Sequence, residues 1–104
     1  MSRAESCTSM SELRAEIDRI DRALVALLRE RVDCIDRAVV LKRAEGLSAR
    51  IEARVAEVLE KVRSEARAQG VEPELAGRLW SELIEWSIAR EEQVLGPMKG
   101  RKTG

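Results

Sequence analysis

The chain has 104 residues, 37% of them charged, with 19 basic and 19 acidic side chains and so no net charge. One domain is expected at this length, and the charge balance argues against a nucleic-acid partner, which needs a basic excess. No apolar run is long enough to span a membrane, and the first ten residues lack the apolar core of a signal peptide. The two cysteines, Cys7 and Cys34, do not suggest a disulfide framework, so a cytoplasmic protein is expected. Phe, Tyr and His are absent and β-branched runs bounded by turns are missing, which predicts an all-α fold. Without His the usual neutral-pH general base is missing. No nucleophile motif is present, and no cluster of ligands suggests a metal. An enzyme of this composition is expected to act by binding and electrostatics.

Residues 1–8 are expected to be flexible, ahead of a helical domain over 9–96. Ser9 can cap the first helix, with Glu12 three positions later completing a capping box. The helix then meets no Pro or Gly before Gly46. Leu13, Ile17, Ile20, Leu24, Leu27, Leu28, Ile35 and Val39 step by threes and fours, with one double step, as one buried stripe. Arg14/Asp18, Asp18/Arg22 and Asp33/Arg37 are spaced to pair on the outer face. Some 35 residues at ~1.5 Å each span roughly 50 Å, while a compact 100-residue domain has a radius of gyration of only about 13 Å. One copy of the remaining chain cannot cover such a helix, which predicts a homodimer with two long helices packed along each other.

Gly46 ends the helix, Ala44 to Ala49 form a short connection, and Ser48 is placed to cap a second helix. Its stripe is Ile51, Val55, Val58, Leu59 and Val62, and it ends at Gly70. Pro73 suits the first turn of a third helix, with Leu75, Leu79, Trp80, Leu83, Ile84 and Ile88 as core positions. Gly96-Pro97 stops it, and 97–104 is expected to be a disordered tail whose Lys99, Arg101 and Lys102 are too few to define a partner. Trp80 and Trp86 read as packing residues, and Cys34 as a small core or boundary residue.

Charged side chains interrupt the stripes: Arg31 and Lys42 on the first helix, Arg54 beside the second, Glu91 on the third. Singly, a long cation can snorkel from a core edge to water. Together, three cations can hold a dianion, with Arg matching carboxylates bidentately and Lys acting as a point charge. Polar groups facing each other among helices are a common way to build a ligand site. The competing reading is a helical dimerisation module in which these charges form internal salt bridges.

The segment LRAEIDRIDRALVALLRERV (13–32), then Lys42, Arg54 and IEWSIAREE (84–92), resembles the all-helical chorismate mutases over about residues 6–95. The resemblance implies an intertwined homodimer of three-helix subunits. It also implies conversion of chorismate to prephenate, a Claisen rearrangement, with no cofactor and no covalent intermediate. It places Arg14 across the dimer on a substrate carboxylate, and Arg31 and Arg54 on carboxylates within the same site. Lys42 falls on the ether oxygen that gathers negative charge. Ser87 falls where some relatives contact the ring carboxylate, and Glu91 where many carry a Gln directed at the ether oxygen.

The sequence departs from that pattern in two places. Val55 stands where many chorismate mutases have a Glu that helps hold the ring hydroxyl. That loss, and the E-x-C-T of Glu5 to Thr8, resemble the isochorismate-pyruvate lyases, a branch that makes salicylate. An amino-deoxychorismate mutase is a third option, disfavoured because Val55 offers no charge to an amino group. At Glu91, a carboxylate repels the developing oxyanion whereas a protonated acid donates to it. Activity is therefore expected to favour acidic pH, and Glu91→Gln to broaden it toward neutral pH.

Overall fold

The computed structural model describes residues 2–96. The expectations for Pro97 and for the tail 97–104, with Lys99, Arg101 and Lys102, lie outside the described residues. Among those described the chain is all-helical, as its composition predicts. A short 3-10 turn at Ala4–Ser6 precedes α1 (Met10–Glu45), α2 (Glu52–Gln69) and α3 (Pro73–Leu95). The chain divides into two compact units, Met1–Cys34 and Ile35–Gly104, and α1 contributes to both.

In the first unit, the start of α1 is fixed by reciprocal capping. Ser9 Oγ accepts from the Glu12 amide at 3.1 Å. The return bond lands one residue further out than a capping box requires: Glu12 Oε1 accepts from the Thr8 amide at 2.8 Å and the Thr8 hydroxyl at 3.1 Å. These bonds, the backbone one first, hold the Glu12 carboxyl below its usual range. Arg3 reaches Glu16 at 3.5 Å. The expected pairs Arg14/Asp18, Asp18/Arg22 and Asp33/Arg37 do not form; Arg19–Glu16 at 2.6 Å and Arg29–Asp33 at 3.4 Å form instead. Such surface pairs are each worth only about 0.2–0.5 kcal/mol, so spacing alone does not select among them.

From Ile17 to Leu28 the stripe of α1 exists as a pattern but is exposed. Ile17, Ile20, Leu24, Leu27 and Leu28 are 40–58% exposed. Cys34 is exposed and does not join a core, contrary to expectation. It lies one position before Ile35, a rotation of about 100° round the helix from the stripe.

In the second unit, Ile35, Ala38, Val39 and Lys42 carry the inward face of the last turns of α1. Gly46, at φ 72°, stops the helix. Its amide donates to the Arg43 carbonyl at 3.3 Å and that of Leu47 to Lys42 at 2.8 Å, a Schellman closure. Gly70 ends α2 in the same way, at φ 79°. Ser48 is not the cap of α2. The cap position belongs to Ile51, in an extended conformation and with no side-chain cap bond. Ala49 is buried in the core, with Arg50 and Ile51 half-buried behind it. The chain is thus carried past Ser48 before it can turn helical.

Helix α2 packs on α3. The core is Ala49, Ile84 and Ile88, with Val55, Val58, Leu59 and Leu95 against it. The inward face of α3 is turned from the one its leucines suggest: Leu75 and Leu79 are 49% and 52% exposed. Ala76 and Gly77 are buried in their place, followed by Ile84, Ser87, Ile88 and Glu91. Small residues let the helices approach closely at that end. A Cβ on Gly77 would lie 2.9 Å from two nitrogens of the Arg63 guanidinium, which rests on it. Trp80 is half-buried, but Trp86 is 49% exposed and is not a core residue. Its ring instead lies under the Arg90 guanidinium, 5.4 Å from the centroid.

Candidate active site

Lys42 lies in the last turn of α1 and Glu91 near the end of α3. Both interrupt apolar stripes, and the fold brings them together. Lys42 Nζ donates to Glu91 Oε1 at 2.7 Å and to the Ala49 carbonyl at 2.7 Å. The Glu91 side chain is 5% exposed and that of Lys42 19%. An ammonium has three N–H donors. Two are thus committed, and the third has no protein partner among the described residues. A buried charge of either sign is costly alone, and here each partner satisfies the other.

Ser87 lies one turn before Glu91 on the same face and is buried, with its hydroxyl donating to the Leu83 carbonyl at 2.7 Å. Val55 is half-buried against the Ala49–Ile84–Ile88 cluster and presents no polar atom there. Arg54, in the first turn of α2, is mostly exposed and pairs along its own helix with Glu57 at 2.9 Å. That guanidinium is the main reason the Glu57 carboxyl lies below its usual range. Arg14 is exposed and Arg31 half-buried, both in the first unit. Of the residues singled out by sequence, therefore, the second unit unites Lys42 with Glu91, places Ser87 beside Glu91, and directs Arg54 to Glu57.

Other contacts link the end of α1 and the connection after it to α3, and sequence reasoning missed them. Arg90 holds Asp36 of α1 through two bonds, at 2.6 and 3.0 Å. Arg43 donates to the Val94 carbonyl at 3.3 Å. Arg50 binds Glu85 of α3. That bond raises the Arg50 pKa and holds the Glu85 carboxyl below its usual range. These contacts join residues 35 to 54 positions apart, so no helical spacing announces them. The Ala49 carbonyl belongs to the backbone and has no signal in residue type. Among the described residues, no group of three or more His, Cys, Asp or Glu side chains is placed to hold a metal ion. No helix there is long and apolar enough to cross a membrane.

Residues 13–92 match the family chorismate mutase type II. The chain belongs to that family. Membership supports an isomerase-type enzyme with a chorismate-like substrate, and the all-helical build found here agrees with it. The match begins at Leu13 and ends at Glu92, so it takes in Lys42, Glu91 and every connection between them. No curated protein matches the chain.

Proposed function

We propose that the protein is a chorismate mutase that converts chorismate to prephenate. The observation that carries this reading is the Lys42 ammonium, held by Glu91 and the Ala49 carbonyl, with one donor left over among the described residues. In the rearrangement the ether C–O bond breaks as a C–C bond forms, and negative charge gathers on the ether oxygen. The spare N–H of Lys42 meets that charge with a donor already in place, which lowers the barrier without a covalent step. Holding both carboxylates of the substrate fixes its side chain over the ring in advance. The resemblance gives that task to Arg14, Arg31 and Arg54, with Ser87 at the ring carboxylate. Arg54 would exchange Glu57 for substrate.

The active form in this reading is a homodimer, supported by the uncovered apolar stripe from Ile17 to Leu28 on α1. A second copy is the natural cover for it, and the resemblance implies the same arrangement, with Arg14 serving the partner's site.

One observation favours a second reading, isochorismate-pyruvate lyase. Val55 is packed into an apolar cluster where a ring hydroxyl would need an acceptor, and isochorismate carries its hydroxyl elsewhere on the ring. Titration calorimetry with a bicyclic dicarboxylate that mimics the transition state tests for the site itself. Wild type is expected to bind it, and Lys42→Ala to bind at least about tenfold more weakly, the loss of one charge-assisted hydrogen bond. A wild-type protein that binds no mimic would leave the dimerisation module as the better reading.

A further inference from the structure

The Lys42 ammonium is held on one side by a backbone carbonyl, and a carbonyl is only as well placed as the segment that carries it. That segment, residues 46–51, lies between α1 and α2 and has no regular structure. Two contacts flank the carbonyl bond. The Ala49 side chain is buried against Ile84 and Ile88. The next residue, Arg50, reaches over to Glu85 on α3, beside Ile84. Glu91, the other partner of Lys42, lies further along α3. Both acceptors of the ammonium are thus referred to one helix, Glu91 directly and Ala49 through the Arg50–Glu85 pair.

We infer that Arg50 and Glu85 are positioning residues for Lys42, fixing the Ala49 carbonyl so that the ammonium's third N–H keeps one direction. The inference rests on the mutase reading only for its effect on rate. Arg50 touches neither Lys42 nor Glu91 through any hydrogen bond of its own. The Arg50 side chain is 29% exposed, as suits a strut at the rim. The pair also ties to α3 a stretch that has no side-chain cap bond ahead of α2. Of the two short contacts to Lys42, the one to Ala49 is the one that a loop movement would break.

The test uses the full chain labelled with 15N-lysine. Lys42 is assigned by the loss of its ammonium resonance in Lys42→Met. Wild type is expected to show that resonance protected from exchange. Arg50→Ala and the milder Glu85→Gln are expected to shift or lose it, and the exchanged pair Arg50→Glu with Glu85→Arg to restore it. With chorismate as substrate, Arg50→Ala is expected to lower kcat by about ten- to a hundredfold, as for a misplaced rather than missing group. KM should stay within about twofold, because carboxylate binding is untouched. An unchanged Lys42 resonance in both single variants overturns the inference. So does a kcat and KM that fall together without recovery in the exchanged pair. If wild type turns over no substrate, the mutase reading fails, and the resonance alone still decides whether Arg50 positions Lys42.

Discussion

Removing Lys42 leaves Glu91 with 5% of its side chain exposed and without the cation that neutralises it. Breaking one side of a buried ion pair typically costs about 3–5 kcal/mol, whereas replacing both sides by apolar groups is often neutral or stabilising. Lys42 keeps 19% of its side chain exposed, which admits some water and places the loss near the lower end, about 3 kcal/mol. Lys42→Met is therefore expected to lower stability by about that much. In a chain of this size each kcal/mol moves the thermal midpoint by roughly 4–8 °C, so the variant should melt about 12 °C lower or more. Glu91→Gln keeps an oxygen for the 2.7 Å bond from Lys42 and should cost much less. The double variant Lys42→Met with Glu91→Met should recover most of the loss. Urea unfolding at one fixed protein concentration reads all four proteins, because any dimer ties stability to concentration. A Lys42→Met protein within about 0.5 kcal/mol of wild type, the range of ordinary surface changes, would refute the reasoning. So would a double variant no more stable than Lys42→Met alone.

Leu24→Asp with Leu27→Asp places charges on the uncovered stripe, where the two leucines are 54% and 58% exposed. Full burial of each is worth about 1.5–3 kcal/mol, so the variant should sediment as a monomer while wild type sediments as a dimer. Gly70→Ala, at φ 79° with nothing within 4 Å of the new Cβ, should cost about 1 kcal/mol from backbone conformation alone; an unchanged urea midpoint would count against the left-handed cap. Glu85 and Glu12 have carboxyls held below the usual range, by the Arg50 guanidinium and the Thr8 amide. A depressed folded pKa stabilises above the unfolded value and is lost as pH falls through the folded one. Glu85→Gln should therefore flatten the decline in stability below about pH 4.3, the ordinary glutamate value; an equally steep decline would show that the pair contributes nothing there.

The helices were legible because their periodicity is strong, and because Gly46, Gly70 and Pro73 have conformational roles few other residues fill. The start of α2 was not, because Ser48 looks like a cap while the burial of Ala49 carries the chain past it. The face of α3 was misjudged by size: Leu75 and Leu79 are larger than Ala76 and Gly77, yet only the small pair lets α2 come close. Trp86 was assigned to packing on the same habit and lies outside under Arg90. At the candidate site, Lys42 and Glu91 could be found because a charge on an apolar stripe is conspicuous. Their 2.7 Å contact needs the fold. So do the Ala49 carbonyl and the Arg50–Glu85 pair, which join parts of the chain that no local pattern relates. Arg54 shows the opposite limit, since its place beside a stripe was plain and its bond to Glu57 was not.

The most direct test of the proposed function offers chorismate and isochorismate separately to purified protein, at pH 5 and at pH 7.5, with products separated by chromatography. The account predicts prephenate from chorismate as the faster reaction, abolished in Lys42→Ala. Salicylate and pyruvate from isochorismate as the faster reaction would contradict it in favour of the lyase, and turnover of neither would contradict the enzyme reading for both substrates.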